Sequence, residues 1–352
     1  MSLPAALTDS ALIDVTAVES WDEAPLYLFV GISTAGSSIH TAFPLWAPTF
    51  APGAVLRGVD LPATTDPAEF RRLAIAMRDN PLVRGAVVTS HKLRMYDAIT
   101  ELIDHADPLS AITHELNALD TRDGIHAFAR DPQSLDILLG AMTPEWIGPD
   151  RSMICIGSGG AATALMLAMG LDIPATIASG HATPRTTQGR RGSLTILGIE
   201  RQALAAMRVV RQRAGILDAD VTTAIAATPD VTGTYTRRAD PGTVIVNATG
   251  LGKTSPGSPL ERPADLPPGV LAWDFNYRGT LTFLQQAQEA GTATMNGWDY
   301  FLAGWTAALA AITSTEATTH LFDQIRRLST GLRREGATNG PHRPGSDGVL
   351  RP

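Results

Sequence analysis

The tightest constraint on this chain is the turn Gly157-Ser158-Gly159-Gly160-Ala161-Ala162. The apolar run Met153-Ile154-Cys155-Ile156 leads into it, and a stretch rich in Ala, Leu and Met, 163–170, leads out. Few folds accept a strand, a tight glycine turn and a helix N-terminus in that order. Glycine lets the backbone pass close to a bulky anion, and the first-turn N–H groups of the helix point at it. The pattern predicts a pyrophosphate cradle, and with it a dinucleotide-binding α/β unit.

At 352 residues the chain has room for two domains. A net charge of −7 argues against nucleic acid or an anionic membrane as the main partner. Cys155 is the single cysteine, so no internal disulfide is possible. Its place in the strand suits a small buried hydrophobe better than a nucleophile. Residues 1–23 carry neither a basic start nor an apolar block, so no secretion signal is expected there and the cytoplasm is the default address. The most apolar window, 159–178, is interrupted by Asp172 and Pro174 and reads as a buried helix, not a membrane span. The eight histidines form no metal-binding pattern, and no metal is expected. The arginine pairs 237–238, 326–327 and 333–334 read as solvated surface. Oligomeric state stays open, a homodimer included.

Along the chain, residues 1–24 read as an extension of uncertain order. Strands are expected at 26–32, 55–61 and 85–89, with helices at 67–80 and 94–103; Phe70, Leu73, Ala74 and Met77 share one face of the first helix. Segments 111–119 and 126–129 read as short strands around Arg122-Asp123-Gly124. A helix over 132–142 leads to a second unit: strands at 153–156, 194–199, 220–226, 243–248 and 269–274, and helices at 161–169, 201–213 and 281–290. Alternating β and α predicts an α/β protein with a largely parallel or mixed sheet. Segment 181–193 looks like a loop inserted before the second strand of that unit. Apolar helices close the chain, before a tail poor in apolar residues that is expected to be disordered. The expected division is an extension (1–24), a substrate-binding domain (25–133), a Rossmann dinucleotide-binding domain (134–295), C-terminal helices returning to the first domain (296–334) and the tail (335–352).

Four further stretches, in order, resemble the shikimate/quinate dehydrogenase family. They are GISTAGSSIHTAF (31–43), GAVVTSHK (85–92), the segment from Asn117 to Asp131, and NATGLG (247–252) with Asp274, Tyr277, Asn296 and Gly297 behind it. The resemblance covers 27–330 and implies a secondary alcohol and a ketone interconverted with a nicotinamide cofactor. Lys92 and Asp131 match the family's proton-handling pair. A solvated surface lysine is the plain alternative for Lys92, and an N-cap of the helix beginning at Pro132 is the plain alternative for Asp131. By the same resemblance Ser37 and Ser38 would meet a substrate carboxylate, Thr89 and Asn117 would bond ring hydroxyls, and Tyr277 would approach the carboxylate. The cofactor would rest on Gly157, Ser158, Gly159, Gly160 and Ala161, with Asn247, Thr249, Gly250, Leu251 and Gly297 near the nicotinamide.

The departures bear on the substrate. The serine turn is shortened, the proline between Thr89 and Lys92 is missing, and Ala129-Arg130 stand where the family has Asn-Thr. The family's glutamine falls on Gly304, with Trp305 next. Trp298 and Trp305 suit a pocket lining or a core anchor equally well. Lost polar partners predict a substrate other than shikimate: a cyclic polyol, an amino-substituted ring or another small hydroxy acid. Glu200 favours a ribose hydroxyl and NAD; Arg201, or Arg190 and Arg191 from the inserted loop, would favour the phosphate of NADP. Family habit leans to NADP. The alternative function is a nucleotide- or metabolite-binding regulator that keeps the fold without turnover.

Overall fold

The computed structural model describes residues 11–253, 255–332 and 349–350. Contacts divide the chain into two units. One runs up to Asp131 and resumes at Gly304; the other spans the chain from Pro132 to Ala303 and takes in Val349 and Leu350.

The first unit opens with α1 (Val15–Glu19), capped by Asp14, whose carboxylate accepts from the Ala17 N–H at 2.8 Å. The sequence reading of 1–24 as an extension is corrected here. Val15 and Val18 belong to the core, Leu12 pairs with Gly58, and Asn80 Nδ2 donates to the carbonyls of Val18 and Trp21. Residues 1–10 lie outside the described residues. β1 (Leu26–Gly31) is buried throughout. α2 (Ile39–Phe50) follows, then β2 (Val55–Asp60), α3 (Pro67–Asp79) and β3 (Val83–Val88). Asp66 caps α3 and Pro67 starts it, so Phe70, Leu73, Ala74 and Met77 are buried on one face.

Next come α4 (Lys92–Ile99), β4 (His105–Ala106), α5 (Pro108–Thr113), β5 (Ala118–Asp120) and β6 (His126–Phe128). Segment 111–119, expected as a strand, begins instead inside α5. Asp107 caps that helix through the Ser110 N–H at 2.7 Å, with Pro108 at the first position, and His114 ends it in the left-handed conformation. The mixed sheet runs β2-β1-β3-β5-β6-β4; β1 lies parallel to β2 and β3, and β5 is antiparallel to both its neighbours.

The second unit contains most of α6 (Asp131–Ala141), then β7 (Ser152–Ile156), α7 (Gly160–Gly170), α8 (Ile173–Ser179), β8 (Ser193–Gly198), α9 (Arg201–Arg213), β9 (Val221–Ile225), α10 (Pro229–Thr236) and β10 (Val244–Asn247). β11 (Leu271–Asp274), α11 (Thr282–Glu289) and β12 (Ala293–Met295) complete its sheet. All pairings are parallel, in the order β12-β11-β10-β7-β8-β9. This is the doubly wound Rossmann order, with its reversal point between β7 and β10. α7 is apolar all round and buries seven residues, as a helix laid on a sheet and covered by others must.

α12 (Trp298–Ile312) runs from the second unit into the first, and α13 (Thr319–Leu328) packs there. Trp46 Nε1 donates to Ser329 Oγ at 3.0 Å, and Trp305 meets the Phe29 ring edge-on at 5.0 Å. Residues 298–303, grouped by the sequence reading with the returning helices, fall in the second unit. Most of the tail expected to be disordered lies outside the described residues. Within it Val349 and Leu350 are buried, Leu350 pairs with Met142, and the Val349 carbonyl accepts from the Thr143 N–H. Among the described residues no helix is long and apolar enough to cross a membrane, and no cluster suits a metal ion.

Candidate functional site

In the first unit the carboxyl ends of β3 and β6, with the amino end of β5 between them, converge on one polar cluster. The Val88 N–H donates to the Asn117 carbonyl, and the Asn117 N–H to the Phe128 carbonyl, so Asn117 stands where three strands meet. Lys92 opens α4 just beyond β3. His91 before it is 2% exposed, its Nε2 hydrogen-bonded to the Leu61 carbonyl at 2.6 Å and its ring edge-on to Phe70. Behind Lys92, the Leu116 N–H donates to its carbonyl.

Lys92 Nζ forms an ion pair with Asp131 Oδ2, and Asn117 Nδ2 donates to Asp131 Oδ1 at 2.6 Å. Asn117 Oδ1 in turn accepts from the Arg130 N–H at 2.7 Å, which fixes which way the amide faces. The ammonium, the carboxylate and the amide thus form one chain tied to backbone. Lys92 keeps 23% of its side chain exposed and Asp131 12%, so the pair is partly open to small molecules.

Glu115 is the charged member that sequence reasoning missed. It is 5% exposed, and its backbone is held by Ser110 Oγ and Thr113 Oγ1. Its carboxylate lies in the field of both Lys92 and Asp131. Burial pushes its pKa up to about 7, against the pull of Lys92 and with the help of Asp131. Burial drives the Lys92 ammonium the other way, but Asp131 and Glu115 outweigh it and hold the pKa above the usual lysine value. The next charge along, Arg130, is spent on buried Asp107 at 2.8 Å and stacks over Phe128.

A signal for the lysine lay in the composition: Lys92 and Lys253 are the only lysines among 28 basic residues. Arginine does not give up its proton in proteins, whereas a lysine does.

Of the other expected substrate contacts in this unit, Ser37 is buried and its hydroxyl accepts from the Ile39 N–H at 3.4 Å. Ser38 is half-buried at the start of α2, and Thr89 is exposed. Ala129 is 1% exposed, and a Cβ on Gly304 would meet nothing within 4 Å.

In the second unit the glycine turn sits at the reversal point. Gly157 has φ +121°, and a Cβ there would lie 2.8 Å from the Ala248 carbonyl, so no other residue fits. Gly159 is the N-cap of α7 with no side chain to close the helix end, and a Cβ on it would meet nothing within 4 Å. Ala162 is buried, letting α7 lie close to the sheet. Ser158 approaches Gly198 at the end of β8. An uncapped helix end beside open space suits a diphosphate, so the residues present fit a dinucleotide.

The loop after β10 is built on Asn247, whose Oδ1 accepts from the Thr249 N–H and hydroxyl at 3.1 and 2.7 Å. Leu251 is tied in by carbonyl contacts from Asn247 and Asn276, and Gly250 has φ +78°. Gly297 is required by packing, because a Cβ there would lie 2.1 Å from the Phe275 carbonyl oxygen. Burial raises the Asp274 pKa to about 7 against hydrogen bonds from Asn276 and Asn247, and among the described residues its Oδ2 has no hydrogen-bond partner.

Tyr277 belongs to this unit, packed against Trp298 and Phe301. Both tryptophans anchor cores: Trp298 and Trp305 are each 6% exposed. Cys155 is buried and its thiol is pushed up to about 12 by burial, as befits a packing residue.

Glu200 and Arg201 begin α9, both exposed. Arg190 and Arg191 do not join them. Arg191 and Arg185 pair with Asp136, and Arg190 pairs with Asp220, which precedes β9. The inserted loop ends against Arg151, before β7. Those arginines therefore lie at the amino end of the strands, while the glycine turn lies at the carboxyl end, so neither supplies a phosphate contact at the turn. A polar cavity of about 300 Å³ opens beside Arg151 and Arg190. Another, of about 520 Å³, lies along α3 between Glu19 and Arg72; neither contains Lys92 or the glycine turn.

Solved structures share this architecture. A shikimate dehydrogenase in complex with NADP+ aligns with a TM-score of 0.65 at 15% identity, over 90% of this chain and 96% of its own. The fold is that of the shikimate and quinate dehydrogenases. A quinate dehydrogenase from Corynebacterium glutamicum in complex with NAD gives 0.63 at 16% identity, over 87% and 99%. A 5-ketofructose reductase of Gluconobacter gives 0.57 at 14% identity, over 87% and 98%. No family profile matches the sequence, and no curated protein does.

Proposed function

We propose that this chain is a nicotinamide-dependent oxidoreductase that interconverts a secondary alcohol and a ketone on a small cyclic hydroxy acid or polyol. The observation that carries the reading is the Lys92–Asp131 ion pair, anchored by Asn117 and partly open. A carbonyl oxygen that gains electrons needs a proton at the same moment. Lys92 Nζ supplies it, Asp131 Oδ2 holds the ammonium in place, and Asn117 keeps the carboxylate from turning away. A nicotinamide dinucleotide bound on the glycine turn and the 247–251 loop would give or accept the hydride. Structures of the same fold carry NADP+ or NAD, and they act on shikimate, quinate and 5-ketofructose by name, which supports this class.

The substrate reading follows from missing partners. Ala129, Arg130 and Gly304 offer no free polar group where the resemblance calls for Asn, Thr and Gln: one is apolar, one is paired with Asp107 and one has no side chain. A site lacking those partners has no preference for shikimate's hydroxyls. With Arg190 and Arg191 engaged elsewhere, Glu200 beside Arg201 favours NAD over NADP.

The test is oxidation of NADH or NADPH by purified protein across a panel of cyclic and open-chain hydroxy ketones, with Lys92→Met beside the wild type. Turnover should fall by about 10²–10⁴ in the variant while cofactor affinity, read by fluorescence, is kept. Cofactor binding with no turnover across the panel would favour the regulator.

A further inference from the structure

Asp60 closes β2 with a carboxylate of which one oxygen is held and the other is not. Its Oδ1 accepts from the Thr34 N–H at 2.7 Å and from the Thr34 hydroxyl at 2.6 Å. Among the described residues Oδ2 has no hydrogen-bond donor and no ion-pair partner, and Asp60 is exposed. The grip on Oδ1 is built into the strands below it. Thr34 is fully buried, and its place requires two glycines. A Cβ on Gly58 would lie 2.3 Å from Thr34 Oγ1. One on Gly31 would lie 3.1 Å from Thr34 Cγ2 and 2.7 Å from Thr89 Cγ2. A buried hydroxyl and a backbone N–H thus fix the direction in which the second oxygen faces.

Strand register puts Asp60 at the same edge as the Lys92 cluster. Asp60 lies opposite Gly31 of β1, and the Thr89 N–H, just beyond β3, donates to the Val30 carbonyl of that same strand. Two strand spacings, about 10 Å, separate β2 from β3. That is about the width of a six-membered ring with a hydrogen bond on either side. The cations near this edge already have partners. Lys92 pairs with Asp131, Arg130 with Asp107, and Arg94 donates to the Ala63 and Thr65 carbonyls. Arg57 lies over Trp21, and His40 Nε2 meets the Thr34 carbonyl at 3.1 Å. Ser37, the expected carboxylate contact, has its hydroxyl on the Ile39 N–H. The exposed groups that remain at the end of β3 are the hydroxyls of Thr89 and Ser90.

We propose that Asp60 Oδ2 is a substrate-binding group that accepts from a substrate hydroxyl and repels carboxylates, so that the site takes neutral polyhydroxylated rings in preference to hydroxy acids. An anchored carboxylate accepts strongly from a hydroxyl and opposes a second negative charge, so one group supplies both attraction and exclusion. The proposal rests on the oxidoreductase reading for the fate of the ligand and narrows its substrate class. The binding preference itself needs no turnover.

The experiment measures binding to the full chain by ligand-observed saturation-transfer NMR, with NAD present. The probes are shikimate and its carboxamide, which differ in charge and hardly in size. The wild type should bind the carboxamide at least about tenfold more tightly than shikimate, and the ratio should shrink as salt is raised. Asp60→Asn keeps an oxygen for Thr34 and puts an amide N–H where Oδ2 was. It should erase the preference, tightening shikimate and weakening the carboxamide. A wild type that does not bind the carboxamide more tightly than shikimate overturns the proposal. So does a loss in Asp60→Asn that falls equally on both probes, which would make Asp60 an anchor of the loop after β1 and nothing more. Should that variant fail to fold, the wild-type salt series decides, and a ratio independent of salt overturns the proposal. Preference for the carboxamide without oxidation of NADH or NADPH by either matching ketone would remove the oxidoreductase reading and leave the binding proposal standing. Reduction of 3-dehydroshikimate with a kcat/KM equal to that of its carboxamide would overturn the binding proposal and leave the oxidoreductase reading intact.

Discussion

Lys92 is a case where side-chain chemistry and not charge decides. Lys92→Arg keeps a cation able to pair with Asp131, but a guanidinium holds its proton at any working pH. Turnover is therefore expected to fall by about 10²–10⁴, close to the loss in Lys92→Met, with cofactor affinity unchanged. Steady-state kinetics with a ketone substrate checks this, and a Lys92→Arg variant near wild-type activity would make Lys92 an electrostatic anchor only. Asn117→Ala leaves the ion pair but removes one donor to Asp131 Oδ1 and strips the Arg130 N–H of its acceptor. It should cost about 1–3 kcal/mol in denaturant unfolding, the usual cost of a buried unpaired donor, and reduce kcat more than it raises KM. Lys92, Asp131 and Asn117 were legible because each borders a stretch that resembles the family's, although the segment from Thr89 to Lys92 lacks its proline. Glu115 was not: a lone acidic residue between a histidine and a leucine gives no sign of burial until α5 folds over it.

At the scale of single elements, the glycine turn and Asp274 make separate predictions. Gly157→Ala meets two obstacles, a backbone φ of +121° and the Ala248 carbonyl 2.8 Å from the new Cβ. The β7–α7 turn must open, so nucleotide affinity should drop at least about tenfold. Gly159→Ala meets no protein atom within 4 Å, so any loss there reports the ligand's own need for space. Asp274 ends β11 with its pKa raised by burial from 3.8 to about 7. The unfolded chain gives up that proton first, so the stability tied to Asp274 is complete below about pH 4 and is lost as pH rises through about 7. Asp274→Asn removes that loss. Its advantage over the wild type in urea unfolding should grow between pH 5 and 8, by on the order of 2–4 kcal/mol. A difference that stays constant over that range would mean that Asp274 does not titrate there. Elements with plain periodicity, α3 and β7 among them, were readable in advance. α2 was hidden by Pro44 and Pro48 inside it, and α5 by its shortness, although Asp107-Pro108 marks its start. Arg190 and Arg191 stayed open as phosphate contacts because sequence order does not say at which end of the strands a loop returns.

Across the whole molecule, motif order showed two α/β units, but their borders were off by a few residues for a physical reason. α6 and α12 are continuous helices that cross both borders, so hydrophobic periodicity has no break where the contacts change sides. The first unit is assembled from separate chain segments, and this makes it dependent on the C-terminus in a way the second is not. Its α2 carries Trp46, fully buried, whose indole N–H ends on Ser329. Phe29 of β1 rests on Trp305, Gln324 reaches Thr49, and Arg122 reaches Ser314. A chain ending at Ala303 strips all four contacts and exposes two large aromatic side chains, each worth about 3–5 kcal/mol on truncation in a core. Together, about 6–10 kcal/mol, they are comparable with the whole stability of a typical domain. Among the described residues the second unit loses the Val349–Leu350 pairing to Met142 and Thr143, and its six-stranded sheet stays whole. The shortened chain should therefore resist protease from about residue 132 onward, keep nucleotide binding, and leave the segment carrying Lys92 open to cleavage. Protection of that segment in the shortened chain would show that the first unit folds without its returning helices, and the division between units would have to be redrawn.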